Sequence, residues 1–189
     1  MLGEVIVRVE LPEFKPHKNH FYALAREIIR QQLSGASADA IERRFVALFF
    51  RRKNFFPKAA QILAMPDERM RSSGLSRAKI SYLKNLAAAV ADKKLDFKRL
   101  AVLPDEEVIM RLTEIKGIGQ WTAEMFLMFA LDRPDVFSYG DQGLRNAMVR
   151  LYGLRVHPSR ARAEKISRRW RPYRTLAARY LWASLKMDL

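Results

Sequence analysis

The chain contains no cysteine. That excludes disulfides, thiolate metal sites and iron–sulfur clusters. Histidine is scarce too: His17, His20 and His157 are the whole set, a poor basis for a dedicated zinc site. No apolar run approaches the ~20 residues that span a bilayer. The opening "MLGEVIVRVELPEF" carries acids early and lacks the long apolar core of an export signal. These absences point to a soluble, intracellular protein with no membrane role. Acids are also outnumbered, with 20 Asp and Glu against 35 Lys and Arg, a formal net charge of +15. Such an excess opposes folding by self-repulsion and reports a polyanionic partner. Nucleic acid is favoured over an anionic membrane surface, because no basic amphipathic segment stands apart from the core pattern. What is present is a core: 49% of the 189 residues are hydrophobic, enough for one domain or two small lobes.

Most of the chain has helical periodicity. "NHFYALAREIIRQQL" places Phe21, Leu24, Ala25, Ile28 and Ile29 on one face. "SRAKISYLKNLAAAVADKK" opens on a Ser76 cap and turns Ile80, Leu83, Leu86, Ala87 and Val90 inward. "PDEEVIMRL" has three acids in its first turn, which suits the helix dipole. "QWTAEMFLMFAL" is apolar almost throughout, the pattern of a buried helix. "EVIVRVEL" alternates and is rich in β-branched residues, so it reads as one short strand. The expected class is all-α, with about ten helices and that one N-terminal strand.

"LTEIKGIGQWTAE" interrupts this pattern. Its apolar spacing is helical, yet Gly117 and Gly119 sit in its middle, and each glycine in a helix costs ~1 kcal/mol relative to alanine. The segment therefore reads as two helices joined by Lys116-Gly117-Ile118-Gly119. Glycine permits positive φ and close approach to the backbone. The N–H groups that open the second helix, with its dipole, form an anion site suited to a DNA phosphate, and Lys116 adds charge. An ordinary helix–turn–helix connection would show the same two glycines. Seventeen residues after Gly119 begins "VFSYGDQGLRNAM", in which Asp141 follows a loop and precedes a helix. Asp141 is a natural N-cap, and an N-cap aspartate can also present a carboxylate to a cleft.

With these residues in view, the sequence resembles the helix-hairpin-helix DNA glycosylase superfamily. "GIGQWTA", "DVFSYGDQGLR", "RRWRPYRTLAARYLW", "IIRQQLSGASADAI" and "SSGLSRAKISYLKNLA" are similar to the 3-methyladenine DNA glycosylase II branch. The resemblance runs from about Phe21 to Leu185. It implies one two-lobed glycosylase unit over 1–189. A hairpin lobe would span 24–131, and 1–23 with 132–189 would form the second lobe.

The resemblance also implies roles. Asp141 is the expected catalytic carboxylate for hydrolysis of the N-glycosidic bond of an alkylated purine. Lys116, Gly117, Ile118 and Gly119 are expected to bind a DNA phosphate. Trp121, Trp182, Met125 and Tyr139 are expected around the extruded base. Met125 and Gln142 stand where some relatives carry tyrosines, with Tyr139 and Phe21 as candidates to compensate. "RQQLSG" falls where the family carries its intercalating wedge, which points to Gln32, with Leu33 beside it and Gln31 able to reach the opposite base. Backbone carbonyls near Thr113, Ile115 and Ile118 are expected, by analogy alone, to hold a monovalent cation, Na+ or K+. No cofactor is required, and no iron–sulfur cluster is expected. Bifunctional members carry a lysine two residues past the last glycine; Trp121 occupies that position, which implies no strand cleavage and an abasic product. The implied partner is double-stranded DNA containing damaged bases, bound by a monomer that is cytoplasmic or nucleoid-associated. Two other readings remain open at this point. One is a glycosylase for uracil, mismatched or oxidised bases; the other is a non-catalytic hairpin module that only grips DNA.

Overall fold

The computed structural model describes residues 1–33, 35–49 and 56–187. Among these residues there are twelve α-helices and no strand. They are α1 Leu2–Arg8, α2 His20–Arg30, α3 Gly35–Ala47, α4 Ala59–Ala64, α5 Asp67–Arg71, α6 Arg77–Ala91, α7 Phe97–Leu100, α8 Asp105–Thr113, α9 Gln120–Phe129, α10 Gln142–Tyr152, α11 Arg160–Ser167 and α12 Arg174–Ser184. A 3-10 turn, Arg168–Trp170, follows α11. No helix among the described residues is long and apolar enough to cross a membrane.

The expected strand at "EVIVRVEL" is instead α1. Its alternating valines and isoleucines favour a strand only where another strand can pair with the backbone. An all-helical chain offers no such edge, whereas a helix satisfies its own N–H and C=O groups. Tertiary packing completes the choice: Val5 is buried and α1 lies against α12.

The chain divides into two compact units, His17–Phe126 and Met1–Pro16 with Leu127–Leu189. The boundaries fall at 16/17 and 126/127, where 23/24 and 131/132 had been expected. In the first unit, α2 packs on α3 and α6, and α6 also receives α4 and α5. The core there is built from Leu24, Ile28, Ile29, Phe45, Ile62, Leu83 and Leu86, all with essentially no exposed surface. These residues recur at three- and four-residue intervals, so each helix has one apolar stripe to bury. Ser76 caps α6 by accepting from the Lys79 N–H at 3.3 Å.

In the second unit, α10 and α1 both pack on α12. Ala177, Ala178 and Leu181 of α12 and Leu144, Ala147 and Met148 of α10 are buried. Small residues on α12 let its neighbours approach closely. Gly153 ends α10 at φ 57°, the left-handed conformation that glycine adopts without strain.

Candidate active site

The glycine-bearing connection runs from the end of α8 to the start of α9. Its turn is closed by the Ile115 N–H to Leu112 O at 3.1 Å and the Ile118 N–H to Ile115 O at 3.0 Å. Its two glycines have different causes. Gly117 has φ +107°, and a Cβ there would lie 2.2 Å from Cγ of Tyr82. Both conformation and packing therefore demand glycine at 117. Gly119 has neither constraint, because a Cβ would meet nothing within 4 Å. It is exposed, as are Lys116 and Gln120, so the residues that open α9 lie at the surface. The Ile118 side chain is buried, which leaves its backbone as the part able to meet a ligand. Asn85 of α6 donates to the Lys116 carbonyl at 3.0 Å.

The turn after α2 is tied to this connection. Gln31 donates from Nε2 to Gly117 O at 3.0 Å and to Thr122 Oγ1 at 3.2 Å. Gln32 follows at φ 56°, an uncommon conformation for a side chain other than glycine. Gln32 and Leu33 are both exposed, and Leu33 keeps 37% of its surface.

The carbonyls expected to hold a cation lie along the same connection. Ile115 O already accepts one hydrogen bond, from Ile118; a carbonyl oxygen retains a second lone pair for an ion. The Thr113 hydroxyl donates back to Ile109 O and Met110 O, both at 2.9 Å. Among the described residues no cluster of three or more His, Cys, Asp or Glu side chains suits a metal.

Asp141 belongs to the other unit. It is the N-cap of α10, with Oδ1 accepting from the Leu144 N–H at 2.7 Å. Trp182 of α12 donates its indole Nε1–H to the same oxygen at 2.8 Å. The cap and the indole hold the carboxylate in one orientation, with 9% of the residue's surface exposed. Gly143 makes this arrangement possible. A Cβ there would lie 2.9 Å from Trp182 Cδ1 and 3.1 Å from Asp141 Oδ1.

The loop before Asp141 is held by the start of α12. The Arg174 guanidinium donates from Nε to Asp135 Oδ1 at 2.6 Å and from Nη2 to Oδ2 at 2.9 Å. Nη2 also reaches Asp135 O at 2.7 Å. Burial pushes the Asp135 carboxyl up, but the hydrogen bonds and charge of Arg174 outweigh it and hold the group below the usual aspartate range. Thr175 donates to Arg133 O at 2.6 Å and accepts from the Val136 N–H at 3.1 Å. Tyr139 shares a hydrogen bond with Ser167 at 3.1 Å, and the Arg160 guanidinium sits 5.7 Å from its ring centroid. The Phe137 ring packs at a tilt against those of Tyr139 and Trp170. Trp170 thus braces the loop, whereas nearby Tyr173 is 62% exposed.

The structure therefore brings Trp182 onto Asp141, whereas the Tyr139 side chain is held by Ser167, Arg160 and Phe137. It separately brings Gln31 to the glycine connection. Trp121 and Met125 lie one turn apart on α9, where Trp121 is half-buried and Met125 is buried. Gln142 is exposed beside Asp141 and donates to Asn146 Oδ1 at 2.8 Å, which His157 also meets at 2.8 Å. Sequence reasoning had not singled out Tyr82, Gly143, Asp135 or Thr175. A glycine inside the first turn of a helix was the one local signal available, at Gly143.

Known proteins supply a comparison. Residues 25–172 match the family described as HhH-GPD superfamily base excision DNA repair protein. DNA-3-methyladenine glycosylase 1 of Schizosaccharomyces pombe is 39% identical over 171 residues, covering 90% of this chain and 74% of that protein. The solved structure of the S. pombe 3-methyladenine DNA glycosylase in complex with abasic DNA superposes with a TM-score of 0.87. It is 36% identical and covers 99% of this chain and 90% of that one. The DNA-3-methyladenine glycosidase of Bacillus halodurans gives a TM-score of 0.83 at 36% identity, covering 98% of this chain and 84% of that one.

Proposed function

Because the chain belongs to the HhH-GPD superfamily of base excision DNA repair proteins, we propose that Asp141 is the carboxylate with which it hydrolyses the N-glycosidic bond of alkylated purines in DNA. Relatives named for 3-methyladenine support this substrate class. The reaction breaks the bond between the sugar C1′ and the base nitrogen, and the electron pair leaves with the purine. An alkylated purine already carries positive charge, so it departs neutral and needs no strong general acid. The sugar passes through an oxocarbenium-like state. Asp141 stabilises that cation and orients the water whose oxygen bonds to C1′, and the water's proton passes to the carboxylate or to solvent.

The observation that carries the proposal is the fixed carboxylate. An ordinary N-cap needs one bond to a backbone N–H. Asp141 also receives the Trp182 indole, across 41 residues of sequence, and a glycine clears the space for it. Trp182 then provides aromatic surface beside the acid, suited to a cationic base.

The target bond is out of reach inside a duplex, so the nucleotide is extruded. Lys116 and the backbone amides of the exposed residues Gly119 and Gln120 anchor a phosphate, and Gln32 and Leu33 fill the vacated stack. Carbonyls of Thr113, Ile115 and Ile118 would hold a Na+ or K+ ion that stiffens the turn. The basic residues divide into two groups. Lys79 donates to Ile29 O, Arg150 to the carbonyls that end α12, and Arg174 to Asp135. Arg162, Lys165, Arg168 and Arg169 are exposed on α11 and the turn after it, and they supply phosphate contacts. Trp121 stands where lyase members carry lysine, so the product is an abasic site in an intact strand. The protein is proposed to act as a monomer on intracellular DNA.

Incubation with methylated duplex DNA tests this reading. Free alkylpurine should appear, with strand breaks only after heating in alkali. Breaks without alkali, or release of uracil or an oxidised base in preference to alkylpurines, would contradict it.

A further inference from the structure

We infer that Gln31 is a positioning residue that locks the stack-filling turn to the phosphate-binding connection, so that anchoring the strand and opening the stack happen at a fixed separation. This rests on the glycosylase reading above and adds a residue to it. The primary amide of Gln31 has two N–H donors. Both are used, on Gly117 O at 3.0 Å and Thr122 Oγ1 at 3.2 Å. Those acceptors lie in the glycine turn and in the first turn of α9, 86 and 91 residues further along the chain. The next two residues are the exposed Gln32, at φ 56°, and Leu33. Gln31 is therefore turned toward the connection, not outward with its neighbours, so contact with an opposing base falls to Gln32 and Leu33.

Helix α6 supports the same link from below. Lys79, Tyr82 and Asn85 are spaced three apart, each a neighbour of the next along one ridge of the helix. Lys79 holds the end of α2 through Ile29 O at 2.8 Å. The Tyr82 ring lies where a Cβ on Gly117 would sit, and Asn85 holds Lys116 O at 3.0 Å. Both elements are thus referenced to one rigid helix and to each other through Gln31. A loose turn would let the inserting side chains move relative to the gripped phosphate, and the work of unstacking would then be lost in that motion.

The test compares Gln31→Met, which keeps length but donates no hydrogen bond, with the wild-type chain. Two substrates carry the same alkylpurine, one in a fully paired duplex and one in a single strand, where extrusion costs little. Single-turnover release from the duplex should fall about 10-fold, and release from the single strand less than about twofold. Thr122→Val removes one acceptor only and should give a smaller loss with the same duplex bias. Equal losses on both substrates, or an unchanged duplex rate, would overturn the inference and leave Gln31 a structural residue. If Gln31→Met does not fold, the duplex bias of Thr122→Val decides between the same two outcomes. Failure of the wild-type chain to release alkylpurine from either substrate would instead strike the glycosylase reading itself.

Discussion

Replacing Gly143 by alanine should slow the enzyme more than it weakens the fold. The new Cβ would lie 2.9 Å from Trp182 Cδ1, 3.0 Å from Nε1 and 3.1 Å from Asp141 Oδ1. All three are closer than van der Waals contact allows, and neither neighbour is the free end of a flexible chain. The indole must swing away or the carboxylate must turn, and either movement breaks the 2.8 Å bond between them. A hydrogen bond to a charged group contributes about 1.5–3 kcal/mol. If that amount is lost from the transition state, the rate falls by about 10- to 100-fold. Helix propensity acts in the opposite direction on stability, because alanine is favoured over glycine by ~1 kcal/mol. That gain offsets part of the cost of the clash and the lost bond, so the variant should lose about 1–3 kcal/mol of stability, still fold and bind DNA, and release alkylpurine slowly under single-turnover conditions. Trp182→Phe should lose a similar factor, and the double variant little more, since both changes remove the same bond. A Gly143→Ala enzyme with a wild-type rate would refute the assigned role of the indole–carboxylate pair.

The two glycines of the connection should separate cleanly. Gly117→Ala combines a left-handed φ with a collision on Tyr82 and should cost about 2–4 kcal/mol in denaturant unfolding; Gly119→Ala should cost under about 0.5 kcal/mol yet weaken DNA binding, because its Cβ faces open space. Arg174→Gln should destabilise the chain by about 1–3 kcal/mol at neutral pH. Asp135 is depressed below its unfolded pKa of about 3.9, so the pair's contribution is present above that value and is lost as pH falls through the lower, folded one. The gap in melting temperature between wild type and variant should accordingly narrow from about pH 7 to about pH 3. Exchanging Arg162, Lys165 and Arg169 for glutamine should lower the slope of log affinity against log salt by ~0.9 for each phosphate contact removed; an unchanged slope would assign them to solvent.

Much of this could be read from sequence, and for identifiable reasons. Each α2 residue expected inward, Phe21, Leu24, Ala25, Ile28 and Ile29, is buried, because a long amphipathic helix repeats its signal over several turns. The helix break at 117–119 was visible as two glycines in an apolar helical pattern. Their difference was not, since the ring under Gly117 belongs to Tyr82, 35 residues earlier in the chain, and one letter stands both for a forced conformation and for open access. Asp141 was legible as a cap, but Trp182 is 41 residues away, and nothing local announces a bond at that distance. The same holds for Asp135 with Arg174, 39 residues apart. The strand expected at "EVIVRVEL" failed because β-branched alternation describes a side-chain pattern, whereas a strand also needs a partner for its backbone.

The most direct test of the central claim is Asp141→Asn. Asparagine caps a helix about as well as aspartate and its amide oxygen can still accept from Leu144 and Trp182, so the fold and DNA affinity should survive while the charge is lost. Release of alkylpurine from methylated duplex, measured under single turnover, should fall by at least about 100-fold. Release at the wild-type rate by this variant would show that Asp141 only caps α10 and that the bond is cleaved by other means.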